Sequence, residues 1–370
     1  MKHHTPKIEV SAAELRRAVA FVASVAETRN TIPILGQIKV EVKTDQIELT
    51  ATDLDIEASI KVPAEVSAPP LSFTVSPRLL SHIVRYAETV KLSRVDNKIV
   101  IEADDVVASF REIMPAVDFP LFRGSEDPPE GPVQAIAEAV LEKALRLAAV
   151  TISTEETRYY LNGVYLHHSD AAGGLRVVST DGHRMTIYDA RVPWGLTGVI
   201  AQTKTVALLR SALVRGGNRE VSVAPYYTKS NDGHANLVAL RFICDNWTIK
   251  AKLIDGTFPD YRRVMPQPSD KIAVVITDAA LRRFPPTGER SRAVTINPDE
   301  GWMEQSAPDD ISVRMPVQGR GARFGVDLRY LRDFARQSGT IRLEGAAPGD
   351  PFRVLTEDPD LLQIVMPMRV

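Results

Sequence analysis

One plan occurs three times along the 370 residues, and a chain built on a threefold repeat is confined to folds in which like units are joined side by side. The segments SPRLLSHIVRYA from Ser76, TKTVALLRSALVRG from Thr203 and VDLRYLRDFARQSG from Val326 place apolar residues three and four apart, with arginines on the other face. That spacing predicts an amphipathic helix in each. Their starts lie 127 and 123 residues apart, about one third of the chain. Each is followed by alternating, strand-like text that closes on a proline phrase: MPAVDFP, GTFPDYRRVMP and VMPMRV. A second helix precedes the first two, SAAELRRAVAFVASVA from Ser11 and VQAIAEAVLEKALRLAAV from Val133, and Ser11 with Glu14 has capping-box spacing. In the third copy TDAALRRF stops at Pro285-Pro286, which cannot continue a helix. QIKVEVK, QIELTAT, IEASIKV, GVYLHH and LRVVST read as strands, and the polar Tyr226–Ala235 stretch as a long exposed loop. The expectation is an α+β chain of three similar domains, 1–129, 130–266 and 267–370, each with two helices packed on antiparallel sheets. Gly124–Pro132 and Pro266–Lys271 are the linkers.

Charge points to a partner. The chain holds 45 basic and 47 acidic residues, so its surface as a whole does not attract polyanions. The helical segments 11–26, 76–87, 134–150, 203–215, 277–284 and 326–337 nevertheless carry 14 basic and six acidic side chains, a balance of +8 that leaves −10 elsewhere. Helices sharing one side would form a basic wall suited to a phosphate backbone, read without sequence preference. Candidate phosphate contacts are Arg78, Arg85, Lys143, Arg146, Lys204, Arg210, Arg215, Arg282 and Arg332. Few aromatics interleave with them, so base stacking is not the main mode.

Chemistry is harder to find. No glycine precedes a lysine, which excludes a Walker A loop, and G-x-S-x-G, H-E-x-x-H and C-x-x-C are all missing. Asp53 and Asp55, two apart on a strand, suit a surface turn or an interstrand pair better than magnesium. Asp181-Gly182-His183 resembles part of a hydrolase site but lacks a nucleophile, and His167 and His168 alternate faces and cannot easily share a metal. A lone Cys244 rules out a disulfide framework and suits a reducing cytosol. With no signal-peptide core and no apolar run of the ~18 residues a membrane helix needs, a cytoplasmic protein without membrane contact is expected. The reading is a binding protein, not an enzyme, with no cofactor and no metal.

Six blocks in order resemble the bacterial DNA sliding clamp, the beta subunit of DNA polymerase III. They are Ile32-Pro33-Ile34-Leu35-Gly36, Thr52-Asp53-Leu54-Asp55, Arg158–Gly163 (RYYLNG), Thr180-Asp181-Gly182-His183-Arg184, Phe258–Pro266 (FPDYRRVMP) and Val365–Val370 (VMPMRV). The resemblance implies a crescent of three clamp domains, two copies of which close head to tail as a homodimer around duplex DNA. It implies partners: a clamp loader, the polymerase III catalytic subunit, and other polymerases and repair proteins carrying a clamp-binding motif. Their peptides would enter a groove walled by Leu161, Thr180, Gly182, His183, Arg184, Met185, Pro259, Arg263, Val264, Val365, Met366, Pro367, Met368 and Arg369. Methionines and aliphatics suit an adaptable pocket, with arginines on its rim. Arg29 matches a family residue near DNA, and Tyr159 and Tyr160 match residues near single-stranded template.

Two departures from the family keep a second reading open, a clamp-like accessory protein that binds motif peptides without encircling DNA. Glu155 stands where the family often has glutamine, adding negative charge close to DNA. The early stop at Pro285-Pro286 alters a helix that the family uses for ring closure against a strand corresponding here to Val106–Glu112. Phe284 and Phe110 are the apolar residues left to pack across that contact.

Overall fold

A computed structural model describes residues 8–27, 31–122, 131, 133–229, 235–286, 292–306 and 312–369. The first repeat runs β1 (Ile8–Ser11), α1 (Ala12–Ala23), β2 (Ile38–Val42), β3 (Gln46–Thr52), β4 (Ile56–Val66), β5 (Leu71–Val75), α2 (Pro77–Ile83), β6 (Thr89–Val95), β7 (Lys98–Ala103) and β8 (Val106–Phe110). The second gives β9 (Gln134–Ala137), α3 (Glu138–Ala148), β10 (Gly163–Ser169), β11 (Gly174–Thr180), β12 (Arg184–Asp189), β13 (Val199–Gln202), α4 (Thr203–Ala212), β14 (Glu220–Lys229), β15 (Ala235–Cys244) and β16 (Trp247–Lys252). The third opens with β17 (Ile272–Thr277), α5 (Asp278–Leu281), β18 (Ala293–Asn297), β19 (Trp302–Ser306), β20 (Ser312–Pro316) and a short extra strand, β21 (Gln318–Arg320). It closes with β22 (Phe324–Asp327), α6 (Leu328–Ser338), β23 (Thr340–Gly345), β24 (Phe352–Leu355) and β25 (Leu361–Val365). Strand, helix, four strands, helix, three strands: the order is the same each time, apart from β21.

Compactness divides the chain differently from the repeat. One unit holds residues 1–139 and 207–253, the other 140–206 and 254–370. The cause is strand pairing. In the first unit β16 of the second repeat lies antiparallel to β4 of the first, Glu57 opposite Lys250, within a sheet ordered β8-β7-β6-β1-β4-β16-β15-β14-β9. In the second unit β12 lies antiparallel to β25 of the third repeat, Arg184 opposite Val365, within a sheet ordered β13-β10-β11-β12-β25-β24-β23-β17-β21. A four-stranded sheet, β20-β19-β18-β22, completes the second unit.

Packing explains the helices. In the third repeat Leu281 and Phe284 from the α5 turn and Leu328, Leu331 and Phe334 from α6 are buried with β17, β18 and β22, and Phe324 stacks on Phe352 at 4.2 Å. Asp327 caps α6 by accepting the Arg329 N–H at 2.9 Å, and Thr277 caps α5 by accepting the Ala280 N–H at 3.2 Å. Phe284 therefore belongs to its own core, and Phe110 sits edge-on to Phe73 at 6.2 Å.

Four local expectations change. Ser11 ends β1 and its hydroxyl makes no cap bond, while the helix's first N–H, on Ala12, donates to the Glu88 carbonyl at 3.0 Å. The helix expected from Val133 begins only at Glu138, since Gln134–Ala137 pair with β14 as a strand. Of the stretch expected as a loop, Tyr226–Lys229 continue β14 with a register shift after Tyr226, Ala235 opens β15, and 230–234 lie outside the described residues. Asp53 and Asp55 lie in the turn between β3 and β4, not along a strand: Asp53 Oδ1 accepts the N–H groups of Asp55 (3.0 Å) and Ile56 (2.6 Å), and Asp55 pairs with Lys252.

Candidate functional site

The groove residues all fall in the second unit, where β12 meets β25. The turn entering β12 is built by its own side chains. Asp181 Oδ1 accepts from His183 N (2.9 Å) and Arg184 N (3.0 Å), while Thr180 Oγ1 donates to the Arg184 carbonyl (2.8 Å) and accepts from Gly182 N (3.1 Å). The Asp-Gly-His trio is thus a turn motif, with its aspartate committed to the backbone. Gly182 is left-handed at φ +88°, and a Cβ there would stand 2.6 Å from Arg158 Nη1. Beyond β25 the chain stays docked: Met366 N donates to the His183 carbonyl and Met368 N to that of Gly325, both at 2.8 Å.

The floor is core. Leu161, Met185, Ile187 and Ile364 are buried with Phe258 and Tyr261, and Val365 faces the interior of the third repeat. The segment Phe258–Met265 is held down by the buried Phe258 and Tyr261, while Pro259, Arg263 and Val264 are exposed. Exposed apolar surface comes from Val264 (55%) and Met366 (39%). Pro367 and Met368 are half-buried, and His183, Gly182 and Arg369 are exposed. Thr180 is buried by its turn.

Arg184 does not stand on the rim. Its guanidinium lies 4.4 Å over the Tyr330 ring, with Nε on Asp181 Oδ2 (2.9 Å) and Nη1 on Asp333 Oδ2 (2.7 Å). Tyr330 and Asp333, three apart on one face of α6, were missed in the sequence. Their signal was an aromatic and an acid on a helix otherwise notable for arginine. Glu155 also differs from expectation: Arg158 forks onto both its oxygens at 2.7 and 2.6 Å, which neutralises the added charge and lowers the carboxyl pKa.

The nucleic-acid candidates divide in two. Arg78, Arg85, Arg210 and Arg215 are exposed in the first unit, and Lys204, Arg282 and Tyr159 (53%) in the second. Arg282 also pairs with Asp278 at 2.6 Å. Three others have internal partners. Lys143 binds Asp358 at 2.8 Å and lies over the Tyr188 ring. Arg146 binds Glu142 at 3.0 Å. Arg332 donates to the carbonyls of Leu281, Phe284 and Pro285, closing the end of α5. Tyr160 packs edge-on against Tyr159, and the two rings are 5.8 Å apart. An open pocket of about 420 Å³ brings Tyr159 and Lys204 together with Ser153, Thr154, Asn162 and Gln202. Arg29 lies outside the described residues.

His167 and His168 do face opposite ways, His167 buried against Tyr261 and His168 bonded to Asp170. Among the described residues no three His, Cys, Asp or Glu side chains converge on a metal position, and no helix is long and apolar enough to cross a membrane.

A thrice-repeated element order, joined through two strand seams, defines a clamp-type α+β protein. Residues 7–123 match the family model of the DNA polymerase III beta subunit N-terminal domain, and residues 135–260 match that of its central domain. The beta sliding clamp of Caulobacter vibrioides is 32% identical, covering 98% of this chain and all of its own. That of Pseudomonas aeruginosa is 27% identical over 96% of this chain and 98% of its own. Among solved structures, a sliding clamp from Bartonella birtlesii bound to griselimycin superposes with a TM-score of 0.86 at 28% identity, covering 99% and 100% of the two chains. The DNA polymerase sliding clamp from Caulobacter crescentus gives 0.82 at 30% identity, with 99% and 100% covered. The chain belongs to the DNA polymerase III beta-subunit family.

Proposed function

We propose that this protein is a DNA sliding clamp that encircles duplex DNA as a homodimer, without sequence preference, and tethers polymerases and repair proteins through its groove. Its three clamp domains would be 1–129, 130–266 and 267–370. The exposed residues Arg78, Arg85, Lys204, Arg210, Arg215 and Arg282 would meet phosphate. A loader is needed, because the sequence carries no Walker A loop with which to drive opening by nucleotide hydrolysis. A clamp-like accessory role without encirclement is not favoured, because the relatives matched over nearly the whole chain are sliding clamps.

One observation carries the homodimer: the seam is made twice within the chain, and its third instance is missing two partners. Each seam joins the fourth strand of one repeat, β4 or β12, to the last strand of the next, β16 or β25. The fourth strand of the third repeat, β20, and the last of the first, β8, each end a sheet. An edge of this kind is a template for pairing, and Val107 on β8 is 67% exposed. A copy that pairs its β20 with a neighbour's β8, and the reverse, forms a closed two-fold assembly.

The register follows from the repeat. Thr52 opposes Glu57 as Ser306 opposes Ser312. The two-residue turns at Asp104-Asp105 and Asp245-Asn246 align Ser109 with Lys250. Glu57 opposite Lys250 therefore predicts Ser312 opposite Ser109 of a second copy. A protein carrying Ser109→Cys and Ser312→Cys should oxidise to a covalent dimer that stays on circular DNA in denaturant and slips from linear DNA. Single variants should not crosslink, and the native Cys244 is buried. A monomer at micromolar concentration that never crosslinks would remove the encircling reading. Replacing Arg210 and Arg215 together by alanine should lower DNA affinity and flatten its salt slope by about two, with peptide binding unchanged.

A further inference from the structure

The outer wall of the groove hangs on a buried side chain that the groove itself does not include. Tyr261 anchors the segment Phe258–Val264, and its hydroxyl lies 3.0 Å from His167 Nε2. His167 is 5% exposed, and its Nδ1 is 2.6 Å from the His168 carbonyl. A carbonyl only accepts, so Nδ1 carries the proton and Nε2 presents a lone pair. The Arg176 guanidinium, which only donates, is gripped by Asp189 at 2.6 and 2.8 Å. The order of protons is then fixed: Tyr261 donates to His167, and His167 to the backbone. Around this chain the Tyr165 ring is sandwiched between His167 (4.7 Å) and Phe258 (4.8 Å), which leaves the imidazole little room to turn away.

We propose that neutral His167 is a positioning residue for partner binding: by accepting the Tyr261 hydroxyl it seats Pro259, Arg263 and Val264 as the wall against which a peptide packs. This rests on the groove reading given above. Protonation reverses one link. Nε2 becomes a donor aimed at a hydroxyl whose own hydrogen has just lost its acceptor, and a new cation appears among Arg176 on β11 and Arg262 on the wall. Among the described residues Asp189 on β12 is the carboxylate that acts on the imidazole, and Arg176 already holds it. Tyr165 and Tyr261 are the remaining titratable neighbours, and His168 offers only its carbonyl. Burial first, then Arg262 and Arg176, holds the imidazole below the usual histidine range. The sign follows: a displaced wall frees His167 to take a proton at its ordinary value near 6.5, whereas the seated wall resists it. Peptide affinity is therefore complete above that value and declines as the pH falls below it.

The test measures the affinity of a labelled peptide carrying the clamp-binding motif at pH 7.5 and 5.5, in a His183→Gln background so that the exposed groove histidine does not contribute. The background protein should bind roughly three- to tenfold more weakly at the lower pH. Adding His167→Gln, which still accepts from Tyr261 but does not titrate, should leave affinity at pH 7.5 within about threefold and make it flat with pH. Tyr261→Phe should bind weakly at both. Equal pH profiles with and without His167→Gln overturn the proposal. Should His167→Gln fail to fold, calorimetry of the background protein at pH 6 in buffers of different ionisation enthalpy replaces it, with proton release on peptide binding expected and zero release overturning the proposal. Unsubstituted protein that dimerises yet binds no peptide at either pH overturns the groove reading instead.

Discussion

The turn at Thr52–Ile56 in the first unit and the turn at Thr180–Arg184 in the second share one hydrogen-bond scheme. In both, threonine Oγ1 bonds the carbonyl four residues on (2.8 Å each) and accepts the N–H two residues on (3.0 and 3.1 Å). In both, the aspartate Oδ1 accepts two successive N–H groups, and the third residue is left-handed: Leu54 at φ +74°, Gly182 at +88°. What differs is the surroundings. Asp55 of the first turn meets an exposed lysine, whereas Arg184 of the second is pinned between Asp181, Asp333 and Tyr330 beside a seam. The same local device is structural in one place and, in the function proposed above, part of a binding surface in the other. Backbone geometry alone confers no role; the side chains brought against it do.

Four substitutions sharpen that contrast. Asp181→Ala should have the largest effect, because it removes the turn bonds and one anchor of Arg184 together. About 2–4 kcal/mol of stability is expected to go, with peptide binding lost in titration, while Asp53→Ala costs about 1–2 kcal/mol by thermal melt and leaves peptide affinity alone. Gly182→Ala should be intermediate. It strains a left-handed residue and drives Arg158 off its seat, costing about 1–2 kcal/mol in denaturant titration and weakening peptide binding. Leu54→Gly is the smallest and has the opposite sign, since a half-exposed leucine in that conformation is itself strained, and a gain of up to about 1 kcal/mol in the melt is expected. A Leu54→Gly protein that lost peptide binding would mean the two turns do not divide their roles.

Most of the architecture was legible because period and repeat are local properties. The six helices showed through apolar spacing, and the shortened α5 through Pro285-Pro286. Gln134–Ala137 were hidden because four residues running straight into a helix carry too little alternation to separate from it. The groove reading rests on resemblance alone. Asp333 reaches Arg184 across 149 residues of chain, with Tyr330 beside it, a meeting made by the β12–β25 seam that no spacing encodes. Charge counting overstated the basic face for a related reason. Periodicity puts Lys143, Arg146 and Arg332 on a helix surface, but it does not say whether water or a neighbouring carbonyl lies there.

The middle third of this protein has no sheet that it keeps to itself: β9 and β14–β16 are woven into one unit, β10–β13 into the other. Cutting it out as a module would leave two raw strand edges and strip a flank from each neighbour. Chimeras between related proteins should therefore tolerate crossovers that respect the seams and fail at those that respect the repeat. Heat should likewise take this third apart in halves, each melting with a different end of the molecule.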